Sequence, residues 1–255
     1  GSIIVLCGTV FGILFERGAA PGVCFAACCA TALGLSCFNS WMIRRLAIPA
    51  IIVTLGTLTF YRGFALVFAR WHDAGFSGQF SISQLGKEAY RAPGTEGAGW
   101  ILLAGVIIAL CWEAFGKLPR LWLAVGNSPE ACRLAGVNPE AVKQSAFVVS
   151  GLFLGLGALV FITKGLTIEP NRMARNFELQ VIGAVVLGGT NVFGGEGSYL
   201  GTLLGGCLLY FISKTVLYAG VSEYWQTAVQ GALILAVIGV DCVLHRQRKL
   251  MDELK

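Results

Sequence analysis

The chain has 255 residues, of which 56% are hydrophobic and 13% are charged, and its mean hydropathy is +0.73. In soluble domains about a quarter of the residues are charged, so this composition argues against a soluble protein and favours an integral membrane protein. The net charge of +5 is spread over connecting segments without an arginine-rich stripe, which argues against nucleic-acid binding.

Long apolar segments dominate the chain, and a helix needs about 20 such residues to cross a bilayer. The candidate spans are residues 22–43, 48–69, 98–116, 143–163, 199–217 and 225–244. Two weaker candidates, 3–15 and 179–187, bring the total to eight if both cross. The expected fold class is therefore all-α integral membrane, a polytopic helical bundle with residues 1–255 as a single transmembrane domain. The first residues, GSIIVLCGTVFGILFERG, lack the basic start and the small-residue cleavage site of a signal peptide and resemble the tail of a span, so we expect the first spans to be missing.

Basic residues at the ends of the spans predict the orientation of the chain. Arg44 and Arg45 close one span, and the sequence HRQRK stands at 245–249. Because cytoplasmic loops carry the positive charge, we expect an extracytoplasmic loop at 70–97, a cytoplasmic loop at 120–142 and a cytoplasmic C terminus. The nine cysteines fall mostly in apolar spans, which is typical of free buried thiols rather than of a disulfide or metal framework. We predict no metal site and no catalytic residue.

The cytoplasmic segment contains two successive helix-start signals. Asn127 or Ser128 can cap a helix, Pro129 suits its first position, and Gly136 is a typical stop. The pattern then recurs with Asn138 and Pro139, so a short rigid helix is predicted over 129–135. Such a helix either merely reverses the chain or presents a knob to a cytoplasmic partner. The residues of that candidate coupling surface are Asn127, Pro129, Glu130, Arg133, Leu134 and Gly136.

A glycine-rich segment, VVLGGTNVFGGEGSYLGT, occupies residues 185–202. Gly195 and Glu196 stand where a phosphate-binding loop needs its Lys and its Ser or Thr, so the segment is not a nucleotide site. Glycine here either lets the backbone leave helical geometry in a broken membrane segment or permits close packing through Gly201, Gly205 and Gly206, and both can hold. The predicted backbone hinge positions are Gly188, Gly189, Gly194, Gly195 and Gly197.

Three ordered blocks resemble the membrane subunits of bacterial ABC importers for monosaccharides, a group that contains ribose, xylose, rhamnose and autoinducer-2 permeases. They are IPAIIVTLGTLTFYRG at 48–63, GNSPEACRLAGVN at 126–138, and the glycine-rich segment. The resemblance implies a fold like the ten-span, vitamin B12-type (type II) importer permease, in the bacterial inner membrane. It also implies a second permease copy or paralogue, a periplasmic sugar-binding protein and two cytoplasmic ABC ATPase subunits as partners. ATP and Mg would bind to those ATPases, and this chain would bind no cofactor.

Polar side chains within the spans are candidates for the translocation path of such a permease. Thr54, Thr57 and Tyr61 share one helical face, and Asn39 lies late in the preceding span. A threonine can also simply bond to its own helix. The side chain of Arg62 either snorkels to the membrane interface or has a structural role, in an ion pair or in the vestibule of the path. The candidate path residues are Asn39, Thr54, Thr57, Tyr61, Arg62, Thr190 and Asn191.

The leading functional prediction is the permease subunit of an ATP-driven importer for a monosaccharide or related small polyol, with autoinducer-2 import as an alternative within the same family. An ATP-independent sugar carrier or channel is the main alternative outside it. A carrier driven by protons or sodium is expected to have acidic groups in mid-membrane, and the spans contain none there. An intramembrane enzyme would need a catalytic constellation that the sequence lacks.

Overall fold

A computed structural model describes residues 1–72, 80–81, 94–165, 167–191 and 194–218, with isolated positions between 225 and 239. The predicted span 225–244 lies mostly outside these residues, and so do most of the 70–97 loop and the 245–249 tail. The helices are α1 (Ser2–Glu16), α2 (Pro21–Leu46), α3 (Ala50–His72), α4 (Gly94–Phe115), α5 (Lys117–Asn127), α6 (Pro129–Leu134), α7 (Pro139–Gly165), α8 (Phe177–Leu187) and α9 (Tyr199–Tyr218).

Among the described helices, α2, α3, α7 and α9 are each long and apolar enough to cross a membrane. Residues 102–115 of α4 pass the same test jointly with α5, and the chain bends by 69° at the break between them. The helices α1 and α8 are shorter and apolar. The chain is therefore an all-helical, polytopic membrane protein, as the apolar pattern predicted.

The chain divides into two compact units, and the first comprises residues 1–112 and 131–175. Its core is α1, which packs against α2, α3 and α7. Val5, Cys7 and Phe11 of α1 are fully buried. The sequence marked residues 3–15 only as a weak span candidate, yet this helix is the most enclosed element of its unit. Its apolar character on all sides fits that position, because a helix that is hydrophobic all round is a buried one.

Small residues bring α2 and α7 close together in the first unit. A Cβ placed on Gly151 of α7 would lie 2.8 Å from the Cβ of Ser36 in α2, and one on Gly155 would lie 3.1 Å from the Cα of Cys29. Close backbone approach of this kind is a common way for membrane helices to associate, because lipid provides no hydrophobic drive between them.

One short antiparallel pair joins two connecting segments of the first unit. Strand β1 (Phe80–Ser81) lies between α3 and α4, and β2 (Thr167–Ile168) follows α7. Phe80 pairs with Ile168 and Ser81 with Thr167. The two segments therefore lie at the same end of this unit.

The second unit comprises residues 113–130 and 176–255. Within it, α8 and α9 pack against each other. The helix α5 was not predicted, since this part of the sequence was read only as a cytoplasmic loop. The sequence nevertheless contains a helix signal, because Leu118, Leu121, Trp122 and Val125 recur at helical spacing. Pro119 stands in the first turn of α5, where proline is accepted.

Candidate functional site

The predicted knob is the helix α6, which runs from Pro129 to Leu134. None of its residues is buried, and Leu134 is 88% exposed. The helix ends where predicted, at Gly136, whose φ is +79°. The N–H of Gly136 donates to the carbonyl of Arg133 at 3.0 Å, so the last turn is closed by its own backbone.

The next helix also begins at its predicted signal. The backbone N–H of Glu140 donates to Oδ1 of Asn138 at 3.0 Å, which is the expected capping bond at the start of α7. The knob is therefore followed by a glycine stop at Gly136 and by the capped start of α7, and it exposes Glu130, Arg133 and Leu134. Its surface thus combines an apolar side chain with one acid and one base.

Asn127 lies at the end of α5, beside the glycine-rich segment of the second unit. A Cβ placed on Gly195 would lie 3.3 Å from Oδ1 of Asn127 and 3.4 Å from its Cα. A Cβ placed on Gly126 would lie 2.8 Å from the backbone nitrogen of Gly195. The predicted coupling residue Asn127 and the predicted hinge residue Gly195 are therefore neighbours, which their separation in the sequence did not indicate.

The glycine-rich segment uses its glycines in two different ways. Gly189, Gly194 and Gly195 have φ values of +79°, +99° and +89°, a conformation that side chains disfavour. The φ of Gly188 is −73° and that of Gly197 is not in the left-handed region, and a hinge at these five glycines stays a prediction.

The second use of glycine is close packing. A Cβ on Gly188 would lie 2.5 Å from the carbonyl carbon of Gly201, and one on Gly197 would lie 2.9 Å from Cγ2 of Thr190. Both predicted reasons for glycine thus operate, at different positions. Gly206 was expected to serve close packing too, but its nearest neighbour would be Ala184 Cβ at 3.9 Å, an ordinary contact.

The loop after α8 folds back on itself around two candidate path residues. The N–H of Thr190 donates to the carbonyl of Val185 at 3.2 Å, and the N–H of Asn191 donates to that of Glu196 at 3.0 Å. The carbonyl of Asn191 in turn accepts from Gly194 at 3.1 Å. Contact of these two residues with a substrate stays a prediction, and Val192 and Phe193 lie outside the described residues.

The polar face of α3 is turned inward in the first unit. The hydroxyl of Tyr61 donates to Oδ1 of Asn39 at 2.7 Å, and Tyr61, Asn39 and Thr57 are all buried. Thr54 donates to the carbonyls of Ala50 at 2.9 Å and of Ile51, so it bonds to its own helix. The structure therefore brings Asn39 and Tyr61 together as a helix–helix contact, and their predicted place on the path requires that contact to open.

Arg62 reaches the segment that follows β2. Its Nη2 donates to the carbonyl of Met173 at 3.3 Å and to that of Ala174 at 3.1 Å. Ala174 has a φ of +50°, which is unusual for a residue with a Cβ. Among the described residues, the guanidinium group thus binds backbone carbonyls. Neither the snorkelling prediction nor the ion-pair prediction included this kind of partner.

Sequence reasoning missed the role of Glu113 near the end of α4. Both of its carboxylate oxygens accept from the backbone N–H of Tyr199, each at 3.1 Å, at the start of α9. The only signal was a carboxylate at the edge of an apolar span, and its partner is 86 residues away. Elsewhere in the described chain, eight cysteines are free, and no three His, Cys, Asp or Glu side chains are placed to hold a metal ion.

Comparison with known proteins identifies the family. The family described as branched-chain amino acid transport system / permease component matches residues 1–238. The chain is 32% identical over 255 residues to the autoinducer 2 import system permease protein LsrC of Escherichia coli (strain K12 / DH10B), covering 96% of this chain and 72% of the relative. The proteins of that name from Shigella flexneri and from Salmonella choleraesuis (strain SC-B67) are 32% and 29% identical, over 96% of this chain.

No solved structure matches the chain significantly. The match to the family covers most of the chain and includes the three blocks of sequence on which the resemblance to sugar-importer permeases was based. The chain belongs to the branched-chain amino acid transport system / permease component family, and it is a transport permease.

Proposed function

We propose that the chain is the translocation subunit of an ATP-driven importer for a small polyhydroxylated compound, either autoinducer 2 or a monosaccharide. The observation that carries the proposal is α6, a short helix without a buried residue that is followed by a glycine stop, in a chain whose relatives are import permeases. A segment that only reversed the chain would not need a separate short helix. Here a helix starts at Pro129, stops at Gly136, and a second helix starts directly afterwards.

The knob is the proposed contact with a cytoplasmic ATPase. Leu134 would enter an apolar groove of the ATPase, while Glu130 and Arg133 would pair with charges at its rim. ATP and Mg bind to that partner, which closes on ATP and pushes the knob. The 120–142 segment and the C terminus are then cytoplasmic, the 70–97 segment is extracytoplasmic, and the chain lies in the bacterial inner membrane beside a second permease copy or paralogue.

The path would use hydroxyl and amide groups, which suit a neutral polyhydroxylated molecule better than charges do. Asn39 and Tyr61 are bonded to each other in the closed arrangement, so access to them would come with separation of α2 and α3. The names of the relatives favour autoinducer 2 as the compound, and a periplasmic binding protein would deliver it. Ribose, xylose and rhamnose are the alternative substrates.

The test is capture of the ATPase by the intact permease. The permease is co-expressed with a candidate ABC ATPase and purified through a tag on the permease, in the wild-type form and as Glu130→Arg with Leu134→Asp. The matched control is Glu16→Arg, a charge reversal at the exposed end of α1. Capture by the wild type and the control, with loss in the double variant, supports the proposal.

Failure of the wild type to bind any ATPase would overturn the proposal and leave an ATP-independent carrier or channel. Uptake in proteoliposomes then separates the substrates: autoinducer 2, ribose, xylose and rhamnose are offered with and without ATP. Uptake without ATP by the permease alone would identify the carrier or channel directly.

A further inference from the structure

Two separate contacts attach the α4–α5 region to the start of α9 and the loop before it. One joins Glu113 to Tyr199, and the other joins Gly126 and Asn127 to Gly194 and Gly195. All of these residues belong to the second unit. They lie on both sides of α5, so this helix is held at its two ends.

The first contact is electrostatic. Tyr199 is the first residue of α9, where backbone N–H groups have no partner within the helix. The carboxylate of Glu113 accepts from that N–H with both oxygens at 3.1 Å. A negative charge at this end is also favoured by the helix dipole, so the bond is charge-assisted.

The second contact is between backbones, with no side chain to yield. A Cβ on Gly126 would lie 2.8 Å from the backbone nitrogen of Gly195, and a Cβ on Gly194 would lie 2.8 Å from the carbonyl oxygen of Gly126. Two backbones this close cannot approach each other further, so a push on one displaces the other. The glycines of this contact therefore serve stiffness rather than flexibility.

The contact continues into the α8–α9 pair. Gly188, at the end of α8, meets the backbone of Gly201 in α9, and the loop that carries Thr190 and Asn191 lies between these helices. The end of α5 that carries Gly126 and Asn127 is separated from α6 only by Ser128. A push on α6 is therefore applied at once to the end of α5 and to the glycines that touch it.

We propose that residues 113–127 and 194–199 form a rigid joint that carries movement of α6 into α8 and α9, with Glu113 and Gly126 as its positioning residues. The inference rests on the proposed function, since it needs an ATPase that moves the knob. It assigns to α5 the task of transmission, and it makes the α8–α9 loop the part of the chain that responds.

The test follows backbone exchange in the assembled complex. The intact permease with its ATPase is placed in nanodiscs, and amide hydrogen exchange of peptides that cover 186–202 is compared without nucleotide and after trapping with ATP and vanadate. In the wild type, trapping should change the exchange rate of these peptides at least about threefold, within the range known for coupled elements.

The main variant is Gly126→Ala, whose added methyl group would separate the two backbones. It should keep ATPase binding and hydrolysis while the exchange response of 186–202 is lost. The matched control is Gly157→Ala in α7, where a Cβ would meet nothing within 4 Å, and it should respond as the wild type does. A second variant, Glu113→Ala, acts without a clash, and Glu113→Gln should restore part of the response because its amide oxygen still accepts a hydrogen bond.

The outcomes are distinguishable. Loss of the response in Gly126→Ala or Glu113→Ala with hydrolysis retained supports the joint, because damage to the fold alone would lower ATPase binding and hydrolysis as well. A wild-type response in both variants, or no response in the wild type, overturns it while the importer itself stands. If no ATPase binds to the wild type, the proposed function fails and the joint fails with it.

Discussion

The hydroxyl of Tyr61 in α3 donates a hydrogen bond of 2.7 Å to Oδ1 of Asn39 in α2, and both side chains are buried. The bond joins these two helices directly. Tyr61 and Asn39 are therefore candidates both for a structural role and for a place on the translocation path. Removing the Tyr61 hydroxyl tests the structural role through the free energy of unfolding.

Tyr61→Phe removes this hydroxyl and leaves the Asn39 oxygen without that donor. We expect the unfolding free energy to fall by about 0.6 kcal/mol and by no more than about 1.7 kcal/mol, the range measured for bonds between membrane helices. Denaturation in mixed micelles measures it, with Tyr210→Phe as the control because Tyr210 is 61% exposed. Equal effects of the two variants would show that the bond contributes no stability.

Arg62→Met should loosen the segment after β2 rather than the whole bundle. The variant removes the hydrogen bonds to the carbonyls of Met173 and Ala174, and bonds to charged groups are each worth about 1.5–3 kcal/mol. We expect amide exchange to become faster across 169–176 than across the helices, with a fall of that order in the free energy of unfolding. Arg70→Met, at an exposed position of the same helix, should leave this exchange unchanged, and equal rates in both variants would contradict the anchoring role.

Gly205→Ala and Gly206→Ala form a matched pair on α9. A methyl group at 205 would collide with the backbone of α8 at Ala184 and Gly188, whereas one at 206 would make an ordinary contact at 3.9 Å. Overpacking costs about 1–3 kcal/mol, so Gly205→Ala should be the destabilised variant. Gly206→Ala should be neutral or slightly stabilising in thermal unfolding, because alanine is the better helix former. The reverse order of stability would argue against the α8–α9 packing.

Asn138→Ala removes the cap of α7. The loss should be about 1 kcal/mol, since the N–H of Glu140 would lose its side-chain acceptor. Asn138→Ser keeps an acceptor at the same position and should recover most of the stability. Circular dichroism melting of the purified permease compares the three forms, and equal melting of the alanine and serine variants would show that the cap is dispensable.

Local signals in the sequence predicted much of this structure. The apolar segments located the membrane helices. Pro129 and Gly136 located the two ends of the knob and Asn138 the start of α7, because caps and stops act within a few residues. The positive φ values at Gly189, Gly194 and Gly195 were also within reach, since glycine clusters favour such conformations. The family followed from three short blocks whose order mattered more than any one of them.

Contacts between distant residues were not predictable in the same way. The partner of Glu113 is 86 residues away, and that of Tyr61 is 22 residues away on another helix. Burial of α1 depends on which helices surround it, and no periodicity in an all-apolar helix can reveal that. The close packing at Gly188 has the same origin: its neighbour Gly201 is a tertiary contact, which the sequence alone does not reveal.

The close contact between α2 and α7 has a consequence for the surrounding lipid. Their predicted apolar spans, 22–43 and 143–163, have 22 and 21 residues, which at 1.5 Å per residue makes each about 32 Å long and close to the hydrocarbon core of about 30 Å. A bilayer thinner than such a span is accommodated by tilting of the helix. Because α7 packs closely against α2 at Gly151 and Gly155, the two helices must tilt together. A change in bilayer thickness would therefore change the tilt of both helices as one rigid pair.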